Sequence, residues 1–373
     1  MNEGQTKDET VGRGPNSMGP DAMRPGMGGY KRRNLKGRLL LIIAFGILGI
    51  ILLFLFSLTL GVYPISFSDA VHSIWNIIVH LGPSDNIMDE KVIFHLRMSR
   101  SIAVLCVGAG LAAAGAAMQA LIRNPLVDPY ITGVSSGASF MVVLTIMTGF
   151  TIGATTLSIP LAAIIGAIIA FSVTMLVAEA AGGRAMSYVL SGVIISTGLS
   201  AAITLLIYFN VRDYPMIMKW MFGSFADMPW ESTLMIMAGT TIPIIITMLY
   251  AKKLNIMLLG EEQAKYLGVD VGALKRGMLV LVAVLAAFCV AFCGVIGFIG
   301  LIIPHVCRMI IGGDHRLLIP SSAIVGALVL LMADVFCRVA AAPSELPIGA
   351  IVAVVGVPFF LFLMLKEGKR YAM

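Results

Sequence analysis

Residues 39–62 read LLLIIAFGILGIILLFLFSLTLGV. The run carries no charge, and a helix of about 20 apolar residues crosses the roughly 30 Å of a bilayer's hydrocarbon. Runs of this kind recur down the chain, near residues 102–121, 159–180, 188–209, 234–250, 278–293, 295–311, 319–338 and 348–365, with another opening at Tyr130. Hydrophobic residues make up 58% of the chain and charged residues 12%, against about 25% charged in ordinary soluble domains. The fold class predicted is therefore all-α: a polytopic membrane protein of about ten transmembrane helices.

Upstream of the first run, residues 1 to about 30 are rich in Gly, Pro, Asn and charge and show no apolar period. Lys31, Arg32, Arg33, Lys36 and Arg38 follow. This predicts a disordered, basic tail over residues 1–37 and a ten-span domain over residues 38–373. A basic stretch before an apolar one can be a signal peptide. This run is too long for that and lacks a small-residue cleavage site before Tyr63-Pro64, so it reads as an uncleaved first span with its N-terminus inside. With ten spans both termini lie in the cytoplasm. The outer segments then hold only Lys91, Arg97, Arg100, Arg212, Lys219 and Arg338 among the basic residues, as the positive-inside rule asks. The net charge of +6 thus reflects basic inner loops and does not imply nucleic acid.

Downstream, Ser66 to Asp69 has capping-box spacing. Val71, Ile74, Trp75 and Ile78 then share one helical face, either in the outer membrane interface or packed as a loop helix. Gly108, Ala112, Gly115 and Ala116 make the second span a close-packing one. It ends at Arg123-Asn124-Pro125, where Gln119 and Asn124 are read as satisfying backbone groups. Trp220 and Trp230 suit an aromatic belt. Ser196, Ser200 and Thr204 fall at i, i+4, i+8 and share a face. They either line a path or bond back to their own helix.

The longest polar interruption in the second half is KKLNIMLLGEEQAKYLGVDVGALKR, residues 252–276. Glu261 and Glu262 suit a first helical turn, Glu261 stands four before Lys265, and Gly268 suits a helix stop. On spacing alone this is a solvated connector or a helical knuckle where force enters the protein.

Chemistry-bearing motifs are few. There is no G-x-x-x-x-G-K-[ST] and no H-E-x-x-H. Cys289 and Cys293 lie at i, i+4 and read as buried thiols, although the spacing is also that of half a metal site. Asp334 stands four before Arg338, which suits a local ion pair. The alternative to a transport path driven by another subunit is an ion-coupled or facilitative carrier that works without an ATPase, and the scarcity of intramembrane acids tells against the ion-coupled form.

Several blocks together resemble the permease subunit of ABC importers for iron-siderophores, haem and cobalamin. They are Arg97-Met-Ser-Arg100, GAGLAAAGAAMQALIRNPLVDPYITGVSSGA from Gly108, LLGEEQAKYLGVDV from Leu258, GVIGFIGLIIPHVCRMIIGGDHRLLIP from Gly294, MADVFCR from Met332 and ELPIGAIVAVVGVPFF from Glu345. The resemblance covers residue 38 to the end. It implies the type II ABC importer permease fold in the cytoplasmic membrane, a second permease copy, two cytoplasmic ATP-binding subunits, an external substrate-binding protein, and no cofactor or metal. It implies that the loop 252–276 docks on the ATPase through Gly260, Glu261, Glu262, Ala264, Leu267 and Gly268. Ala264, small and mid-helix, is expected to face that partner. Arg97, Arg100 and Arg338 match outer arginines that meet glutamates of the binding protein. Met186, Ser187, Ser196, Ser200 and Thr204 match positions that line or gate the path. One departure is Ser99, where the family usually has proline between the two outer arginines.

Because the sequence holds no phosphate loop, the purified chain is expected neither to bind nor to hydrolyse ATP. A nucleotide-turnover assay on contaminant-free protein checks this, and measurable hydrolysis would overturn the assignment.

Overall fold

A computed structural model describes residues 35–61, 63, 65–79, 87–150, 157–209 and 212–371, and among these residues there are helices and turns but no strand. α1 (Leu35–Thr59) leads to a short α2 (Phe67–Val79) and to α3 (Ile87–Lys91). α3 continues through a wider, π-helical stretch (Val92–Met98) into α4 (Ser99–Ile122). A 3-10 turn (Pro129–Thr132) precedes α5 (Val134–Thr148), α6 (Ser158–Ala180), α7 (Ala185–Phe209), α8 (Tyr214–Met221) and α9 (Trp230–Leu249). The knuckle contains α10 (Ala251–Met257) and α11 (Glu261–Tyr266). α12 (Val271–Cys293), α13 (Ile299–Ile311), α14 (His315–Val339) and α15 (Ile348–Tyr371) complete the order.

Among the described residues, seven stretches are long and apolar enough to cross a membrane. Three shorter apolar helices, Val134–Thr148, Ile299–Ile311 and Ile348–Phe362, stand where the sequence places the remaining spans. The expected tail lies outside the described residues up to residue 34, and α1 already begins at Leu35. The run at 295–311 is helical only over the 13 residues of α13, about 20 Å at about 1.5 Å per residue. Gly294 (φ 74°) turns the chain out of helical geometry before it. Non-helical backbone at membrane depth needs protein partners, and the Cys293 carbonyl finds one in the Ser224 N–H at 2.9 Å.

The centre of the bundle is α4, whose residues from Gly110 to Leu121 are all buried. They are mostly Gly and Ala because neighbouring backbones come to touching distance. A Cβ on Gly108 would sit on the Gly326 carbonyl of α14, and one on Gly115 would sit on the Gly300 carbonyl of α13. Gly137 of α5 and Gly166 of α6 exclude each other's Cβ in the same way. Lipid tails are as apolar as side chains, so helices in a bilayer hold together by close packing more than by hydrophobic burial. Gln119, at the far end of α4, donates to the Leu301 carbonyl at 3.1 Å, and the Asn124 side-chain Oδ1 accepts from the Leu126 N–H at 2.9 Å, the backbone-satisfying roles read from sequence.

Ser66 caps α2: its Oγ accepts the Asp69 N–H at 3.2 Å and donates to the Asp69 carboxylate at 2.6 Å. Ala70 packs with Leu58, Ile65 and Ile93, while Phe67, Val71 and Trp75 face outward. Trp220 and Trp230, the two residues read as suiting an aromatic belt, are both half-buried. Trp230 donates its indole N–H to the Phe94 carbonyl at 3.0 Å, bracing the π-helical stretch.

Gly115→Ala should lower stability by about 1–3 kcal/mol, the usual cost of overpacking. Gly277→Ala, whose Cβ meets open space, should be neutral or stabilising by up to about 1 kcal/mol. Unfolding midpoints in detergent compare the two.

Candidate functional site

Polar side chains gather at the two ends of the bundle. One end carries the knuckle. Gly260 (φ 119°) and Gly268 (φ 80°) hold backbone conformations that favour glycine, so α11 is bounded on both sides. The Val269 and Gly268 N–H groups close its last turn on Ala264 and Lys265 carbonyls. Asp270 then caps α12 by accepting the Ala273 N–H at 2.9 Å.

α11 departs from two expectations. Glu261 turns away from Lys265 toward Lys275 at 3.4 Å and Arg123 at 3.8 Å. Ala264 does not face outward; it is fully buried with Leu254, Met257 and Val271 in the main core. Position 266 lies about 200° round the helix from 264 at 3.6 residues per turn. Tyr266 is accordingly 91% exposed, and Leu259 and Leu267 are exposed beside it. The outward surface of the knuckle thus combines Leu259, Tyr266 and Leu267 with exposed Glu262, Gln263 and Lys265, and Glu261 is half-exposed at its edge.

Near the knuckle, Asn255 of α10 donates to Asp314 at 2.8 Å and accepts the His315 N–H at 2.8 Å. This ties α10 to the start of α14. The Arg316 guanidinium, paired with Asp314 at 2.6 Å, holds that carboxyl down at about 2, so it is ionised at any physiological pH.

The turn between α6 and α7 reaches the same end. Met186 is exposed, and Ser187 Oγ donates to the Ala181 carbonyl at 3.0 Å. Along α7, Ser196 is half-buried while Ser200 and Thr204 are exposed. Thr204 Oγ1 donates to the Ser200 carbonyl at 2.9 Å, so at that position the helix-bonded alternative is realised. Of α7, only Tyr188, Ser191, Gly192 and Ile203 are buried in this chain.

The opposite end holds the three arginines, and none of them is an open rim charge. All three are buried. Arg97 donates to the Leu58 carbonyl at 2.5 Å and to that of Tyr63. Arg100 donates to Asp334 at 2.8 Å and to Glu345 at 2.6 Å. Arg338 lies 3.1 Å from Asp334, as the i, i+4 spacing implies, and also donates to the Ser57 carbonyl at 3.3 Å. Asp334 is thus shared by two arginines. Glu345, with a 35% exposed side chain, is the part of the cluster that meets solvent. Ser99 keeps an N–H that proline lacks, and the helix runs through it unbroken. Its Oγ donates to the His95 carbonyl at 2.8 Å.

Cys289 and Cys293 are buried free thiols, and Cys293 donates to the Cys289 carbonyl at 2.7 Å. Among the described residues no group of three His, Cys, Asp or Glu side chains is placed to hold a metal. Two residues that sequence reasoning did not single out matter here. Glu345 stood in a quoted block without a role. Lys275 stood in the polar loop 252–276, three residues before an apolar run, without a role.

The profile of the FecCD transport family matches residues 49–366. The hemin transport system permease protein HmuU of Yersinia pestis is 35% identical over 88% of this chain and 97% of its own length. The iron(3+)-hydroxamate import system permease protein FhuG of Bacillus subtilis is 36% identical over the same shares. A solved inward-facing structure of a metal-chelate type ABC transporter aligns with TM-score 0.77 and 32% identity, covering 87% of this chain and 99% of that one.

Arg100→Ala should cost about 3–5 kcal/mol, because it breaks a buried pair and strips one partner from Asp334. Glu345→Gln, at the solvent end, should cost about 0–1 kcal/mol. Equal losses in unfolding midpoint would show that the cluster does not act as a buried anchor.

Proposed function

Because this chain belongs to the FecCD transport family, we propose that it is the membrane-spanning permease of an ATP-driven importer of metal chelates, of the ferric-siderophore, haem or cobalamin kind. The observation that carries this is the end-to-end match: similar haem and hydroxamate permeases are covered over 97% of their length. Hydrolysis belongs to a separate subunit, in keeping with the missing phosphate loop. Ten helices cross the cytoplasmic membrane, both termini are cytoplasmic, and the knuckle end faces the cytoplasm. Two copies enclose the path, with the exposed faces of α7 turned toward each other.

Two ATP-binding subunits seat on the knuckles. Gly260 and Gly268 set the position of α11, Glu261 and Glu262 lie at its edge, and Tyr266 and Leu267 supply the apolar contact. Ala264 supports the helix from below. At the other end an external binding protein delivers substrate. Arg97, Arg100 and Arg338 fix the shape of that rim, and Glu345 is its exposed charge. An ion-coupled carrier finds less support, since Asp334 is committed to two arginines and is no free carrier of protons or sodium. Met186, Ser187, Ser196, Ser200 and Thr204 then lie along the inner gate and path.

Tyr266→Asp should give a correctly inserted permease that no longer co-purifies with its ATPase subunit, because the side chain makes little contact within its own chain. Ala264→Trp should instead destabilise the permease itself by about 1–3 kcal/mol. If Tyr266→Asp assembles and transports at the normal rate, the ATPase does not seat on this helix.

A further inference from the structure

Lys275, on the first turns of α12, is only 5% exposed. Its ammonium reaches two elements at once. It donates to the Gly183 carbonyl, in the turn between α6 and α7, at 2.9 Å. It also lies 3.4 Å from the Glu261 carboxylate of α11. Its charge stands over the Tyr188 ring in the first turn of α7, 5.1 Å from the centroid. The Tyr188 hydroxyl in turn donates to Glu179 at 2.5 Å, closing the base of the turn. Gly182 (φ 96°) and Gly183 (φ 62°) are successive left-handed residues, a conformation in which glycine moves at little cost.

A buried ammonium is strongly disfavoured without partners. If α11 shifts, Lys275 must follow Glu261 and draw on Gly183, or else leave a buried charge short of a partner. The other partner of Glu261, Arg123, is more distant at 3.8 Å and more exposed; such a contact is weak. The polar connection from the knuckle to the start of α7 thus runs through one side chain, beside the apolar core that Tyr188 shares with Ala264 and Leu274. We infer that Lys275 is a positioning residue that carries movement of α11 to the turn between α6 and α7. This rests on the reading of α11 as the ATPase seat, and it adds how that seat is joined to the helix lining the path.

The test uses the full chain co-expressed with its ATPase subunit and reconstituted in proteoliposomes. Met186→Cys on a Cys106→Ala background reports the turn, labelled by a membrane-impermeant maleimide with and without Mg-ATP and vanadate. The four remaining native thiols are buried. In this reference form the nucleotide should change the labelling rate at least about fivefold, the lower range of measured couplings between sites. Lys275→Met keeps the aliphatic stem but not the charge. It should bring that ratio to about one while ATP turnover stays within about twofold of the reference. Lys275→Arg should restore most of the ratio, which a merely space-filling role would not require. Glu261→Gln attacks the same contact from its half-exposed side and should also lower the ratio, so a folding failure of Lys275→Met does not end the test.

An unchanged ratio in Lys275→Met and Glu261→Gln overturns the joint and leaves the seat standing. Loss of ATPase co-purification in Lys275→Met also overturns it, because the lysine would then serve seating alone. A ratio near one in the reference form, with the ATPase bound, overturns the reading of α11 and the joint with it.

Discussion

The backbone of α4 lies directly against the backbones of α13 and α14, and the rest of the structure is set by that approach. Only hydrogen fits at Gly108, Gly115, Gly300 and Gly326. In water such a helix would be a poor core element, since alanine and glycine bury little apolar area. In lipid the terms reverse, because the gain comes from atoms in van der Waals contact and from the lipid released. The same helix carries Arg100 at one end and Arg123 at the other, so one rigid rod fixes both polar ends of the bundle.

Those ends are built differently. At the arginine end the charges are buried and shared, with Asp334 held between Arg100 and Arg338. Removing any one partner exposes the others to an unpaired state, which makes this end stiff. At the knuckle end the charges are spread over separate short elements, and several are partly exposed. Exposed pairs contribute little, so this end is held by the burial of Ala264 and Met257 and by the contacts of Lys275. This asymmetry suits the roles proposed for the two ends, a seat that is pushed and a rim that stays fixed.

Much of this was legible from sequence. The apolar runs located the helices, the Ser66–Asp69 spacing located a real cap, and Gly260 with Gly268 bounded α11. What escaped had physical reasons. α11 has six residues, too few for an apolar period to reveal that Ala264 faces inward and Tyr266 outward. The partners of Arg100 lie 234 and 245 residues away, and no local pattern announces such pairs. The run at 295–311 is free of charge from Val295 to Pro304, so hydropathy alone did not signal that residues 294–298 leave helical geometry. Lys275 looked like an ordinary loop charge because its burial depends on the turn at Gly183, far off in the chain.

The pairing of Arg100 with Asp334 also bears on how the chain is made. α14 brings its own neutralising partner, since Arg338 sits one turn from Asp334; it can enter a bilayer as a self-contained unit. α4 is synthesised long before it and carries Arg100 at its tip with no acid of its own nearby. Until α14 emerges from the ribosome, that guanidinium has only headgroups and water to solvate it. The tip of α4 is therefore held at the interface during biogenesis, and its final depth is set late, when α14 docks along it.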